Sequence, residues 1–408
     1  MEERLLKRID EIVEGLEPEL RKLALDIHDN PELGNQEFKA CQWQTELLEK
    51  YGFCVEKEFC GIPTSYKAVY KGAKPGPRIG MLAEYDALPE LGHACGHNLI
   101  ATMSVGSGIA MREFADEFGG EIVVIGTPAE ETAGAKVVMA KKGAFDDLDV
   151  AMMSHPAYVD FDSINTSAIK CFQVEFFGKA SHAAASPEDG INALDAMIQL
   201  FVSVGLMRQQ VKDRARIHGI IQEGGKAPNV IPDYTKALFY TRAQKFSYAM
   251  EIAERIYDAA KGAALATGCT YKVEDAEEDF KDTCSNMYLS DMMVGNMEKY
   301  LGHKFIKAHG EPITGSSDLG DVSYCCPAIQ TTTGLSAPEE DVIYKPHTPE
   351  FAVRTGSEQA VKNCMDFVKG FTITAIQLMT EPEHLEKIKE EFSHVNDPKV
   401  QENKATPF

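Results

Sequence analysis

Leu5, Ile9, Ile12, Leu16, Leu20 and Leu23 recur at three- and four-residue spacing, predicting an amphipathic helix over residues 1 to about 28. His28-Asp-Asn-Pro-Glu-Leu-Gly34 breaks it, and a second helix is expected over about 36–50. Strand-like runs follow at about 65–71 and 78–84, and then a helix from about Asn98 to Phe114. Glu121-Ile-Val-Val-Ile-Gly126 is a short β-branched run with the length of a buried parallel strand, and Asp149-Val-Ala-Met-Met-Ser-His155 is expected to be another. Strands separated by helices predict an α/β sheet, and polar clusters at the strands' C-terminal ends sit where such sheets bind ligands.

From about 166 to 281 the rhythm changes. Strand (Ile169–Phe177), helix (about 189–211), two strands (Arg216–Gln222 and Tyr234–Thr241), helix (Phe246–Ala266) and strand (Thr270–Glu274) follow in order. This β-α-β-β-α-β succession is the ferredoxin-like pattern and predicts an inserted α+β domain over 166–281. Helix and strand alternation resumes afterwards, so the first domain is expected to be discontinuous, 1–165 plus 282–408. The polar tail from His394 to Phe408 is expected to fray.

At 408 residues and 44% hydrophobic content the chain can build two cores. Its formal charge of −22, from 63 acids against 41 bases, argues against a nucleic-acid partner, whose phosphates need a basic face. The opening Met1-Glu-Glu-Arg-Leu-Leu-Lys-Arg has no apolar leader core, and no run of about 18 apolar residues occurs, so a cytoplasmic protein with no membrane partner is expected. The ten cysteines are then expected to be reduced, with Cys54, Cys171 and Cys364 as small core residues. Cys95, in a turn rich in Gly and His, stands apart.

The stretch Ala83-Glu-Tyr-Asp-Ala-Leu-Pro-Glu-Leu-Gly-His-Ala-Cys-Gly-His97 carries the densest chemistry. Alone, Cys95-Gly-His97 is a chance-level tripeptide, but thiolate and neutral imidazole in an exposable turn suit Zn²⁺ or a similar borderline metal. Glu130-Glu131 is one of several Glu pairs, and it alone directly follows a buried-type strand. Extended backbone there would send the two carboxylates to opposite sides, one toward a metal and one toward water. His155 and His347 read singly as a core and a loop histidine. Together, Cys95, His97, Glu131, His155 and His347 suffice for two metals sharing one bridge.

These segments, with Pro128-Ala-Glu-Glu131, Gly178-Lys-Ala-Ser-His182, His218-Gly-Ile-Ile-Gln-Glu-Gly-Gly-Lys-Ala-Pro-Asn-Val-Ile-Pro232 and Gly315-Ser-Ser-Asp318, resemble the M20 family of metallopeptidases and amidohydrolases. The resemblance is to the subgroup whose bridging ligand is cysteine, and runs from His28 to about residue 380. It implies a di-metal aminopeptidase-like catalytic domain with an inserted ferredoxin-like lid that dimerises. By it, Cys95 bridges, His97 and His155 hold one metal, and Glu131 and His347 hold the other. The metals would be two divalent ions, Zn²⁺, Mn²⁺ or Co²⁺. Glu130 becomes the general base, Asp86 steadies a ligand, His182 serves the neighbouring subunit's site as oxyanion donor, and Asn229 and Arg242 grip the substrate carboxylate. Asn98 stands where many cysteine-bridged relatives have Asp, and Glu84-Tyr85-Asp86 where aspartate-bridged relatives have His-x-Asp. The role of His93 stays open.

The implied activity is metal-dependent hydrolysis of the amide bond of a dipeptide or N-acyl amino acid whose leaving residue has a free carboxylate, with Xaa-Lys or Xaa-Arg dipeptides as the leading class. Two alternatives stand beside it: an N-acyl-amino-acid or p-aminobenzoyl-glutamate amidohydrolase, and a non-catalytic metal-binding partner subunit. The intact ligand set with Glu130 counts against the second.

Overall fold

The computed structural model describes residues 1–308, 315–336 and 343–395. Most of the expected polar tail, residues 396–408, lies outside them. By contacts the chain divides into two units, Met1–Asn165 with Thr283–Glu311 and Asp318–Phe408, and Thr166–Asp282 with Pro312–Ser317.

Along the first part of the chain come α1 (Glu3–Asp29), α2 (Phe38–Lys50), β1 (Cys54–Lys57), β2 (Tyr66–Lys71), β3 (Arg78–Ala83), α3 (His97–Phe118), β4 (Glu121–Gly126), α4 (Ala135–Lys141) and β5 (Val150–Ala157). The insert contributes β6 (Ala168–Phe177), α5 (Ala193–Met207), β7 (Arg216–Glu223), β8 (Tyr234–Ala243), α6 (Phe246–Thr267) and β9 (Thr270–Asp275). After it come α7 (Met287–Leu301), α8 (Leu319–Val322), β10 (Ala328–Gly334), α9 (Pro349–Thr355), α10 (Glu358–Thr380) and α11 (Pro382–Ser393).

The first unit is an α/β sheet in the order β1-β2-β4-β3-β5-β10. β4, β3, β5 and β10 run parallel, while β1 and β2 are antiparallel additions at one edge. Alternation explains why the central strands read as unbroken apolar runs. Ile122 and Val124 of β4 join Ile79 and Met81 of β3 and Val150 and Met152 of β5 in the core that includes α1, α3 and α10. Their neighbours Val123, Ile125, Leu82, Ala151 and Met153 face the core that includes α4 and α8. Both faces are covered, as a parallel sheet requires.

The second unit is a four-stranded antiparallel sheet, β7-β8-β6-β9. Phe172, Val174 and Phe176 of β6, with Ile217, Ala237 and Phe239, bury one face under α5 and α6. The element order is the ferredoxin-like one expected from the rhythm of the sequence.

Cys54 corrects the cysteine expectation. It opens the edge strand β1 and is exposed, whereas Cys171 and Cys364 are buried. All ten cysteines are free thiols.

Candidate metal centre

In the first unit, the turns that follow two parallel strands, the interior of a third and a separate loop deliver the candidate ligands. β3 ends at Ala83, and the following turn carries Asp86 and Cys95 to the start of α3, where His97 is the first helical residue. Gly96 has φ +83°, and a Cβ there would lie 2.7 Å from Pro156 Cβ, so only glycine seats Cys95 and His97 on either side of this bend. β4 ends at Gly126 and leads to Glu130 and Glu131. The expectation of extended backbone at this pair is overturned: the strand has already stopped at Gly126, Ala129 has φ 56°, and the two glutamates sit in a turn. Glu37 holds that turn, its buried carboxylate accepting from Ala129 N at 2.8 Å and from Thr64 Oγ1 at 2.8 Å. His155 lies inside β5 and not at its end, opposite Thr332 of β10. His347, exposed and at φ 63°, is tied to the turn beside Cys95 by its N–H donating to Ala94 O at 2.8 Å.

These residues converge. Ligand atoms of Cys95, His97 and His155 lie within 4.8 Å of one another, as do those of Cys95, Glu131 and His347, and those of His97, Glu130 and Glu131. Cys95 Sγ is 3.4 Å from His155 Nε2, and Glu131 Oε1 is 3.3 Å from His347 Nε2 and 3.9 Å from His97 Nε2.

Hydrogen bonds outside the cluster set which atoms face it. His97 Nδ1 meets Asp86 Oδ1 at 2.9 Å, and His155 Nδ1 meets Pro156 O at 2.8 Å. With the proton on Nδ1, each ring turns a lone pair at Nε2 inward, the orientation a metal ligand needs. Asp86 spends its other oxygen on Glu131 N at 3.0 Å, so one buried carboxylate braces two candidate ligands. His97 Nε2 and Glu131 Oε1 are buried without a hydrogen-bond partner. Orphaned buried acceptors around a soft thiol fit a divalent metal, because a cation satisfies all of them at once.

Electrostatics divides the two glutamates. Burial and the charges of Glu84, Asp318 and Glu131 push the Glu130 carboxyl well above its usual range, against the opposing Lys136. Burial also works against ionised Glu131, but His347, His97 and Cys95 outweigh it and hold that carboxyl at about 2. Burial drives the Cys95 thiol well up, with His97 opposing.

The remaining predicted residues lie in the second unit. His182 Nδ1 accepts from Ala184 N and Ala185 N at 3.2 and 3.1 Å, leaving Nε2–H as an outward donor on an exposed ring. His182 bridges to Val230, and Ala183 N donates to Asn229 O at 3.0 Å, so His182 and Asn229 belong to one loop pair. Arg242, near the end of β8, donates to Ser316 Oγ at 2.7 Å.

Three buried charges beside the cluster escape a sequence reading. Lys136 Nζ donates to Glu84 Oε1 at 2.6 Å and to Asp318 Oδ1 at 2.7 Å, and all three side chains are at most 1% exposed. Glu84 and Asp318 stand inside recognisable motifs, so their surroundings offered a signal. Lys136, a charge in the first turn of an otherwise largely apolar helix, offered none. His93 is buried with neither ring nitrogen paired, and burial lowers its pKa to about 3.

Comparison with known proteins places this arrangement. The sequence model of peptidase family M20/M25/M40 matches residues 80–372. The chain is 34% identical to the Xaa-Arg dipeptidase of Mus musculus, over 96% of this chain and 92% of that protein. It is 30% identical to one subunit of the p-aminobenzoyl-glutamate hydrolase of Escherichia coli, over 76% of this chain and 66% of that one. A dinuclear metal-binding M20 peptidase from Bacillus subtilis shares the fold, with a TM-score of 0.64 at 20% identity over 88% of this chain and 98% of that one. With the family's match spanning the whole ligand cluster and a relative above 30% identity along nearly the full length, the chain belongs to peptidase family M20/M25/M40 and is a metal-dependent hydrolase.

Proposed function

We propose that this protein is a dipeptidase that releases a C-terminal residue with a free carboxylate, Xaa-Arg and Xaa-Lys dipeptides being its leading substrates. The observation that carries this reading is the convergence of Cys95, His97, Glu131, His155 and His347 around unpartnered acceptors, with Glu130 beside them. Likeness to the mouse Xaa-Arg dipeptidase supports the substrate class. The relative from Escherichia coli supports p-aminobenzoyl-glutamate as the competing substrate.

Cys95 would bridge two divalent ions, Zn²⁺, Mn²⁺ or Co²⁺, with His97 and His155 on one and Glu131 and His347 on the other. When bound, such ions polarise an amide carbonyl and acidify water. Glu130, not needed as a ligand in this scheme, takes the proton from the attacking water and returns it to the leaving amine. His182 of one copy donates Nε2–H to the oxyanion in the neighbouring copy's site, a contribution of about 3–4 kcal/mol for a well-placed donor. Arg242 and Asn229 grip the leaving residue's carboxylate, Arg through its planar fork. The second unit is read as a lid that pairs two copies, and the reading of a cytoplasmic protein remains part of this proposal. No helix among the described residues is long and apolar enough to cross a membrane.

The test is a screen of metal-reconstituted protein against dipeptides ending in Arg, Lys or Glu, their C-terminal amides, and N-acyl amino acids. Cleavage of the Arg and Lys dipeptides is expected, with amidation costing about 2–5 kcal/mol in kcat/KM because Arg242 is left without its charge. Equal hydrolysis of a dipeptide and its amide would refute the carboxylate clamp, and preference for p-aminobenzoyl-glutamate would move the substrate class to the alternative.

A further inference from the structure

The buried ion triad takes no part in the chemistry above, yet it touches the ligand cluster. Lysine is almost never fully buried unless paired, and Lys136 is buried on the first turn of α4. Its Nζ joins Glu84 Oε1 to Asp318 Oδ1, and its backbone N–H donates to Asp318 Oδ2 at 3.1 Å. Asp318 is thereby held twice and Glu84 once, through one oxygen only.

The other oxygen of Glu84 is the informative atom. Glu84 Oε2 is buried without a hydrogen-bond partner and lies 3.4 Å from His97 Nε2, itself buried and without one. Asp86 takes the Nδ1 side of the same ring at 2.9 Å. Glu84 and Asp86 flank Tyr85 just past β3, where alternate residues share a side, so the two carboxylates reach one imidazole from its two nitrogens. Tyr85 turns away and donates to Thr64 O. In the tautomer that Asp86 favours, Nε2 and Oε2 are two acceptors facing each other in a dry site. That arrangement costs the desolvation of both unless a positive charge, either a metal ion or a second proton on the ring, lies between them.

We propose that Glu84 is an additional carboxylate of the metal centre, its Oε2 serving the cation held through His97 Nε2, and that Lys136 and Asp318 are positioning residues that aim it. The inference rests on the metal-centre reading under Proposed function. Lys136 gives Oε1 a fixed partner, which leaves Oε2 one direction to point. It also offsets one negative charge among the neighbouring carboxylates of Glu84, Glu130, Glu131 and Asp318.

The experiment titrates manganese(II) chloride into chelator-stripped full-length chain by calorimetry, with metals per chain counted by elemental analysis. Glu84→Gln is expected to weaken the binding of one of the two ions about 10- to 100-fold, the range seen when a supporting partner of a metal site is lost, and Lys136→Met to do the same. An unchanged affinity in Glu84→Gln, with only a lower melting temperature of the metal-free protein, would make the triad a structural tie and overturn the proposal. Should Lys136→Met fail to fold, the double variant Glu84→Gln with Lys136→Met removes both charges together. Recovery of fold with weakened metal binding supports the proposal, and recovery with wild-type affinity overturns it. A wild-type chain that binds no Mn²⁺ or Zn²⁺ at all would instead overturn the underlying metal-centre reading, an outcome separate from the behaviour of the variants.

Discussion

Glu130 and Glu131 are chain neighbours with opposite proton affinities, and this is the sharpest division of labour in the molecule. Glu131 faces imidazoles and is held as a carboxylate, while Glu130 faces Glu84 and Asp318 and is pushed toward its protonated form. Paired acids whose surroundings drive them apart mark an acid–base assignment. Glu130→Gln is expected to lower kcat by about 10²- to 10⁴-fold with metal content unchanged, as loss of a general base does. Glu131→Gln should lower metal occupancy as well, since a neutral amide is a poorer ligand. Metal loss in Glu130→Gln, or retention of more than a few per cent of its kcat, would exchange or cancel these roles.

At the scale of elements, His303 clasps three segments together. Placed just after α7, its Nδ1 meets Asp160 beyond β5 at 2.7 Å and its Nε2 meets Asp366 of α10 at 3.4 Å. Burial opposes a charge on this ring, but the two carboxylates outweigh it and raise its pKa to about 9. A folded pKa above the unfolded value of about 6.5 means that the clasp stabilises fully below about pH 6.5 and fades as pH rises through about 9. Its contribution is at most about 3 kcal/mol. Melting temperatures from pH 6 to 10 should show the wild type losing stability across this window relative to His303→Gln, and the two curves should approach each other at the alkaline end. A constant gap between them would remove the charge from the explanation.

At the scale of the whole molecule, one exposed surface bears on assembly. On α5, Ile198, Val202 and Leu206 recur every four residues and are 50%, 57% and 72% exposed, an apolar stripe on the solvent side of the second unit. β7 is an edge strand of the same unit, and its Ile220 is 60% exposed. An apolar helix stripe and an open strand edge are surfaces that proteins cover, and the dimer reading supplies a second copy as the cover. Sedimentation is expected to give a dimer for the wild type and a monomer for Val202→Asp combined with Leu206→Asp, with the far-UV spectrum unchanged. A monomeric wild type would refute this part of the proposal.

Much of this protein is readable from one sequence because its determinants are local. Unbroken apolar runs name the central strands and period-3.6 patterns the long helices, since burying a strand on both faces leaves a continuous apolar stretch and burying a helix on one face leaves a repeating stripe. Cys95, His97, Glu130, Glu131 and His347 are legible for a related reason: each stands in a short turn or helix-start segment whose chemistry can be recognised, whereas His155, inside β5, is legible by its fit to that set. Folding decided what local pattern cannot carry. The turn at Ala129, which replaces the expected extended backbone at Glu130-Glu131, depends on the distant Glu37 carboxylate. Lys136 reads as a solvated lysine until Glu84 and Asp318, 52 and 182 positions away, close around it. A buried charge is stable only where distant partners meet it, so its existence is a property of the tertiary structure and leaves no trace in the order of neighbouring residues.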